Sequence, residues 1–243
     1  LHSFPTRRSS DLDLHNYCRR FMNNEHTLIG NNGLTIEDLA SFWQAIAKEF
    51  STSKNIYGYG LMNEPHDLAP ETKWFDMAQA SINAIREVDT NTLIMVGGND
   101  WSSAERWIEQ SDTLKFLKDP ANNLAFEAHV YFDKDASGTY KYSYEEEECY
   151  PEKGIDRVKP FVEWIKQNKF HGFIGEYGIP DNDPRWNETL DLFLGYLQEN
   201  GINGTYWAAG PWWDTYFMAI TPKDGKDRPQ MPIIEKYTST LKK

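Results

Sequence analysis

Two glutamates of this chain stand in settings that can do chemistry. Glu64 closes the run Tyr57-Gly58-Tyr59-Gly60-Leu61-Met62-Asn63-Glu64-Pro65, a β-type segment that Pro65 ends by removing a backbone donor. Glu176 closes Gly172-Phe173-Ile174-Gly175-Glu176-Tyr177-Gly178, whose glycines permit a tight strand exit or close backbone packing. Two carboxyl groups facing one glycosidic bond can hydrolyse it, one protonating the leaving oxygen and the other attacking the anomeric carbon. A separation of about 5 to 5.5 Å gives retention of configuration and a wider one inversion. An isolated Glu at a strand end is ordinarily a solvated residue, so the argument rests on what surrounds these two.

On the run Leu124 to Tyr131, a period of two puts Glu127, His129 and Tyr131 on one face and Phe126, Ala128 and Val130 on the other. Three polar groups on one face need partners if they point inward, and they can form the wall that orients a carboxylate. His15, Asn16 and Tyr17 follow the first strand candidate. Trp207 ends the last one, Trp212 and Trp213 lie just beyond it, and Trp101 follows the strand that ends at Gly97. Tryptophans beside a polar cleft make stacking platforms for the apolar faces of sugars, although a Trp is more often core.

The elements that must carry these residues alternate between short β-type runs and longer helical patterns with apolar residues at i, i+3 and i+4. Strands are predicted at Leu12 to His15, Ile56 to Met62, Thr92 to Gly97, Leu124 to Tyr131, Gly172 to Glu176 and Gly204 to Trp207. Helices are predicted near 37 to 50, 72 to 88, 103 to 109, 154 to 168, 185 to 199 and 233 to 241. This α/β repeat fits an open doubly wound sheet or a closed (β/α)8 TIM barrel, and periodicity does not choose between them. No glycine-rich phosphate turn is present, and Gly58-Tyr59-Gly60 lacks the third glycine, which favours the barrel. Six β/α units against the eight needed for closure make the barrel incomplete, with the first two units missing.

Composition narrows the partners. With 25 Lys plus Arg against 37 Asp plus Glu the net charge is −12, which argues against nucleic acid or an anionic membrane surface. No stretch approaches the roughly 18 apolar residues of a membrane span. Cys18 and Cys149 permit one disulfide but leave the redox compartment open, and two unpaired thiols are the favoured reading. Asp133 to Gly138 begins like a calcium loop, yet Tyr144 stands at the twelfth position where a bidentate Glu is needed, so a cleft loop without metal is expected. Glu145 to Glu148 reads as a solvated charge run, and Asn187-Glu188-Thr189 as a weak glycosylation sequon.

Leu61-Met62-Asn63-Glu64-Pro65, His129-Val130-Tyr131 and Ile174-Gly175-Glu176-Tyr177-Gly178, in this order, make the chain resemble glycoside hydrolase family 5 from about Leu12 through Trp213. Asp13-Leu14-His15-Asn16-Tyr17 is similar to the family's third-strand motif, and Tyr206-Trp207-Ala208-Ala209-Gly210-Pro211-Trp212-Trp213 to the eighth-strand exit of its cellulase-like members. The resemblance implies a retaining double displacement with Glu64 as acid/base and Glu176 as nucleophile. It also implies Asn63 on the sugar 2-hydroxyl, His129 supporting Glu64, Tyr131 bonding Glu176, His15 contacting the sugar and Trp207 stacking beneath it.

The expected substrate is β-1,4-glucan, cellulose-like or mixed-linkage, cleaved endo-wise by a secreted monomer without cofactor or metal. Mannan and xyloglucan stay open, as does a noncatalytic carbohydrate-binding role. A metal-dependent barrel hydrolase is weaker, since no HxH or HExxH pair is present. Nothing before His15 can match the family's second-strand arginine, the arginines there being Arg7 and Arg8. These fall in residues 1–12, a basic, adaptor-like segment that reads as foreign to the partial catalytic domain of 13–243.

Overall fold

A computed structural model of the chain describes residues 10–213 and 215–238. Arg7, Arg8 and most of the foreign-looking segment lie outside the described residues, whereas Ser10, Asp11 and Leu12 stand in the first strand. The chain divides into two compact units, one of Leu1–Glu127 with Asn168–His171 and one of Ala128–Gln167 with Gly172–Lys243.

The first unit begins with strand β1 (Ser10–Asp13) and a hairpin of β2 (Arg19–Met22) and β3 (Glu25–Leu28). Helix α1 (Ile36–Phe50) follows, then β4 (Ile56–Gly60), α2 (Trp74–Arg86), β5 (Leu93–Gly97), the short turn α3 (Asn99–Ser102) and α4 (Trp107–Ser111). α1 starts where a capping box forms: Asp38 N–H donates to the Thr35 hydroxyl (3.1 Å), and Thr35 N–H to the Asp38 carboxylate (2.8 Å).

Its apolar stripe buries Leu39, Trp43 and Ala47, and α2 buries Trp74, Met77, Ala78, Ile82 and Ile85. Each helix is pinned to a strand exit by an indole: Trp43 Nε1 donates to Leu61 O (3.0 Å) and Trp74 Nε1 to Gly97 O (2.7 Å). Burying a Trp removes about 150–250 Å² from water, on the order of 4 to 6 kcal/mol at most. Ile94, Met95 and Val96 are fully buried, the continuous apolar run of a parallel strand covered on both faces.

Strand β6 (Leu124–Tyr131) starts in the first unit and ends in the second. The second unit then carries α5 (Lys153–Asn168) up to Gln167, β7 (His171–Gly178) from Gly172, α6 (Arg185–Glu199), β8 (Asn203–Tyr206) and α7 (Met231–Tyr237). α6 buries Trp186, Leu190, Phe193, Leu194 and Leu197; Phe193 meets Phe132 edge-on at 5.2 Å between ring centroids and lies 5.4 Å from Tyr177. α7 is tied to α6 by Lys236 and Tyr237, both bonded to Asp191.

The strand order of the main sheet is β1-β4-β5-β6-β7-β8, with β2 and β3 paired apart. β1 with β4, β4 with β5, β5 with β6 and β7 with β8 pair in parallel. The order rises along the chain without a reversal, which is barrel order; a doubly wound sheet reverses at a switch point. Among the described residues six strands stand where closure takes eight, as in the incomplete (β/α)8 barrel expected.

Several boundaries differ from expectation. The first strand lies two residues earlier than Leu12 to His15, so His15 is in the loop that follows it. The helix predicted at 103 to 109 begins only at Trp107, as α4, and ahead of it Asp100, Trp101 and Ser102 of α3 take left-handed φ of 54°, 57° and 55°.

Candidate active site

In the first unit the exits of β1 and β4 are laced together: Leu14 N–H donates to Gly60 O (3.2 Å) and Asn63 N–H to Leu14 O (2.9 Å). The approach is close at Gly60, where a Cβ would lie 3.2 Å from Asp13 Oδ1 and 3.4 Å from Asp13 Cα. This lacing brings His15 and Asn63 together. His15 Nδ1 lies 3.2 Å from Asp13 Oδ2, and its Nε2 lies 3.2 Å from Asn63 Nδ2 and 3.1 Å from the Tyr17 hydroxyl. With Nδ1–H donated to Asp13, Nε2 is the acceptor for the Asn63 amide.

Glu64 follows Asn63 with a left-handed φ of 46°, and Asp67 repeats this at 44°. A non-glycine residue held there stores about 1–3 kcal/mol, a kind of strain that clusters at functional sites. The half-buried Glu64 gives its carbonyl to His66 Nδ1 at 2.8 Å. His66 stacks face to face on Trp101, 4.4 Å between centroids at 14°. Trp101 is 41% exposed on its left-handed turn.

In the second unit Tyr131 Oη donates to Glu176 Oε2 at 2.7 Å, and His129 Nδ1 lies 3.6 Å from the same oxygen. The His129 approach to Glu176 was not foreseen, since the sequence reading associated His129 with Glu64. Glu176 is 8% exposed, so its carboxyl is held by protein groups rather than by bulk water.

Two further residues, which sequence reasoning missed, hold the strand ends. The Tyr140 hydroxyl accepts from Phe132 N–H (2.9 Å) and donates to Gly178 O (2.6 Å). Burial and the neighbouring Asp133 charge push this phenol well above its ordinary pKa, so it stays a donor. Arg157 donates to the carbonyls of Tyr131, Asp133 (2.6 Å) and Lys134 (3.0 Å).

The Asp133 loop is closed by its own backbone. Asp133 accepts from Gly138 N–H (3.0 Å), Thr139 N–H (3.0 Å), Tyr140 N–H (3.2 Å) and the Ser137 hydroxyl (3.0 Å). Glu147 corrects the reading of 145–148 as a solvated run: it is 3% exposed and accepts from Lys134 N–H (2.7 Å) and Tyr142 N–H (2.9 Å). Within the sequon, Thr189 is fully buried in α6 and Asn187 half-buried. Both cysteines are free thiols.

Trp207 N–H donates to Tyr177 O (2.8 Å), and a Cβ on Gly178 would lie 2.4 Å from Trp207 O, so glycine lets these two strand exits close up. Trp213 meets the Trp207 ring at 4.9 Å and 67°, whereas Trp212 is 94% exposed. Glu176 thus sits with the Tyr131 phenol and the His129 imidazole, whereas Glu64 follows Asn63, whose amide meets His15.

A sequence model described as cellulase, glycosyl hydrolase family 5, matches residues 12–212. Endo-beta-1,4-glucanase B of Emericella nidulans is 36% identical over 193 residues, covering 77% of this chain and 56% of that protein. Endo-beta-1,4-glucanase B of Aspergillus niger is 33% identical over 231 residues, covering 93% and 65%. Among solved structures, Pseudomonas stutzeri endoglucanase Cel5A in complex with cellobiose has TM-score 0.86 and 42% identity, covering 95% of this chain and 68% of that one. XacCel5A in complex with cellopentaose has TM-score 0.82 and 38% identity, covering 94% and 72%. The chain therefore spans between 56% and 65% of the length of these two curated relatives.

Proposed function

This chain belongs to the cellulase family, glycosyl hydrolase family 5, and from that premise we propose that it carries the catalytic residues of a secreted, retaining, endo-acting β-1,4-glucanase. Glu176 attacks the anomeric carbon as the glycosidic C–O bond breaks, and Glu64 gives its proton to the leaving oxygen. Water then attacks the glycosyl-enzyme ester, Glu64 takes the water's proton, and Glu176 leaves as carboxylate, so the sugar keeps its configuration. Asn63 binds the 2-hydroxyl, His15 touches the same sugar, and Trp207 stacks beneath it. Trp101, Trp212 and Trp213 hold neighbouring glucosyl units, and His129 orients the acid/base.

The observation that carries this reading is the Tyr131 hydroxyl on Glu176 Oε2 at 2.7 Å, which fixes the plane of a nearly buried carboxylate. The names of the relatives support glucan as substrate. The test is reducing-sugar release from barley β-glucan, carboxymethylcellulose, mannan and xyloglucan by this chain and two variants. Glucan activity falls to background in Glu176→Gln and by about 10²–10⁴-fold in Glu64→Gln, the range for lost acid/base assistance. Wild-type activity in Glu176→Gln would sink the assignment.

A second reading, carbohydrate binding without turnover, is favoured by Trp212 at 94% exposure. It requires glycan retention in affinity electrophoresis that Trp212→Ala weakens, in a sample that releases no sugar.

A further inference from the structure

We propose that the β2–β3 hairpin forms an additional glucan-binding groove in the first unit, one that holds sugars of the same chain away from the cleaved bond. The inference rests on the function proposed above and adds a surface to which no role has been given. The hairpin turns on Asn23-Asn24, both left-handed (φ 52° and 63°), the two-residue geometry that matches strand twist. That turn sets the register in which Phe21 faces His26 across the strands, their rings 5.3 Å apart at 65°. Phe21 is 63% exposed although an aromatic ring gains by burial, which makes it a platform without a covering partner among the described residues.

Between this pair and the loop after β1 lies a hollow of about 680 Å³, lined by His15, Tyr17, Arg19, Phe21, His26 and His66. It is built before any ligand arrives. Arg19 donates to Tyr17 O (2.7 Å) and His66 O (3.3 Å), and Ile29 N–H to Cys18 O (3.0 Å), so the hairpin is clamped to the β1 and β4 exits. Aromatic faces beside three imidazoles and the Arg19 guanidinium suit a ligand with flat apolar faces and hydroxyl edges, which describes a pyranose.

Continuity identifies the occupant. His15 meets Tyr17 at 5.4 Å, Tyr17 meets His66 at 5.4 Å, and His66 stacks on Trp101 at 4.4 Å. His66 also walls a second hollow of about 410 Å³ on the Trp101 side. The rings of His15, Tyr17, His66 and Trp101 therefore form one track, and its first three line the same hollow as Phe21 and His26, which sets the hairpin groove beside residues assigned above to the glucan. A single extended polymer can follow it, which is what an endo-acting site must accept.

The test is calorimetric titration of cellotriose and cellohexaose into the Glu176→Gln variant, where the ligands stay intact, with and without Phe21→Ala or His26→Ala. Cellohexaose binds about tenfold more tightly than cellotriose, and each hairpin substitution removes most of that gain, in line with the 0.5–1.5 kcal/mol of one aromatic contact. A gain that survives both substitutions, or no gain at all, overturns the groove. If neither sugar binds and the unmutated chain releases no reducing ends, the function proposed above has failed, and the groove with it. Unchanged thermal midpoints in the two variants exclude misfolding as the cause of a loss.

Discussion

Tyr140 joins two strand ends through one hydroxyl, accepting from the residue after Tyr131 and donating to the carbonyl two residues after Glu176. Tyr140→Phe leaves a buried N–H and a buried C=O without that partner, at about 1–3 kcal/mol each. Urea unfolding should show a loss of about 2–4 kcal/mol at unchanged slope. If the hydroxyl also positions the Tyr131–Glu176 pair, turnover per folded molecule falls about tenfold with KM unchanged, a transition-state effect of about 1.4 kcal/mol. A purely structural role would lower stability and leave that turnover alone. The strand-end positions of Tyr131 and Glu176 were legible, because period-two runs and a glycine-flanked exit mark them locally. Tyr140 was not, because its partners stand 8 and 38 residues away and Gly138-Thr139-Tyr140-Lys141 carries no local sign of them. The His129 approach to Glu176 is likewise a product of packing between strands.

Elements were legible where one face was apolar and hidden where it was not. α1, α5 and α6 lie within a residue of expectation, and β6 matches it at both ends. The hairpin escaped notice because Arg19-Arg20-Phe21-Met22 and Glu25-His26-Thr27-Leu28 show no hydrophobic alternation, and its Asn-Asn turn lacks the usual glycine. The end of α2 rests on another contact between distant residues. Arg86 Nε and Nη2 donate to the two oxygens of Asp119 at 2.7 and 3.0 Å, with both side chains at most 3% exposed. Burial pushes the Asp119 carboxyl up, but the Arg86 bonds and the Asn123 and Ala121 N–H groups outweigh it and hold the pKa below the usual range. A carboxylate depressed in the folded state contributes stability above its unfolded pKa of about 3.9 and loses it as pH falls toward the folded value. Asp119→Asn should therefore cost about 3–5 kcal/mol at pH 7, since it strands a buried guanidinium. It should also flatten the fall in stability below about pH 4. Equal urea midpoints for variant and wild type at pH 7 would refute the pairing.

At the scale of the whole molecule, the count of six β/α units and the family resemblance were legible from repeated short motifs. The barrel was already favoured over a doubly wound sheet by the missing glycine-rich phosphate turn, and the strand order, which no local pattern encodes, bears that choice out. That order has a physical consequence. Among the described residues β1 and β8 stand at its ends, each four residues long and mostly exposed. Unpaired strand edges invite pairing with another copy, and two features oppose it: the shortness of both strands, with Asp11 and Asp13 on β1, and the net charge of −12. The charge term is long-range and screened by salt, with a Debye length of about 10 Å at 0.1 M and about 3 Å at 1 M, whereas edge pairing acts at contact and is not. Light scattering should therefore give the monomer mass of 28.3 kDa at low ionic strength. The mean mass should rise with concentration once salt approaches about 1 M, where repulsion between copies no longer reaches across the gap. A mass that stays at 28.3 kDa under both conditions would mean that the two short edges are protected by their own geometry rather than by charge.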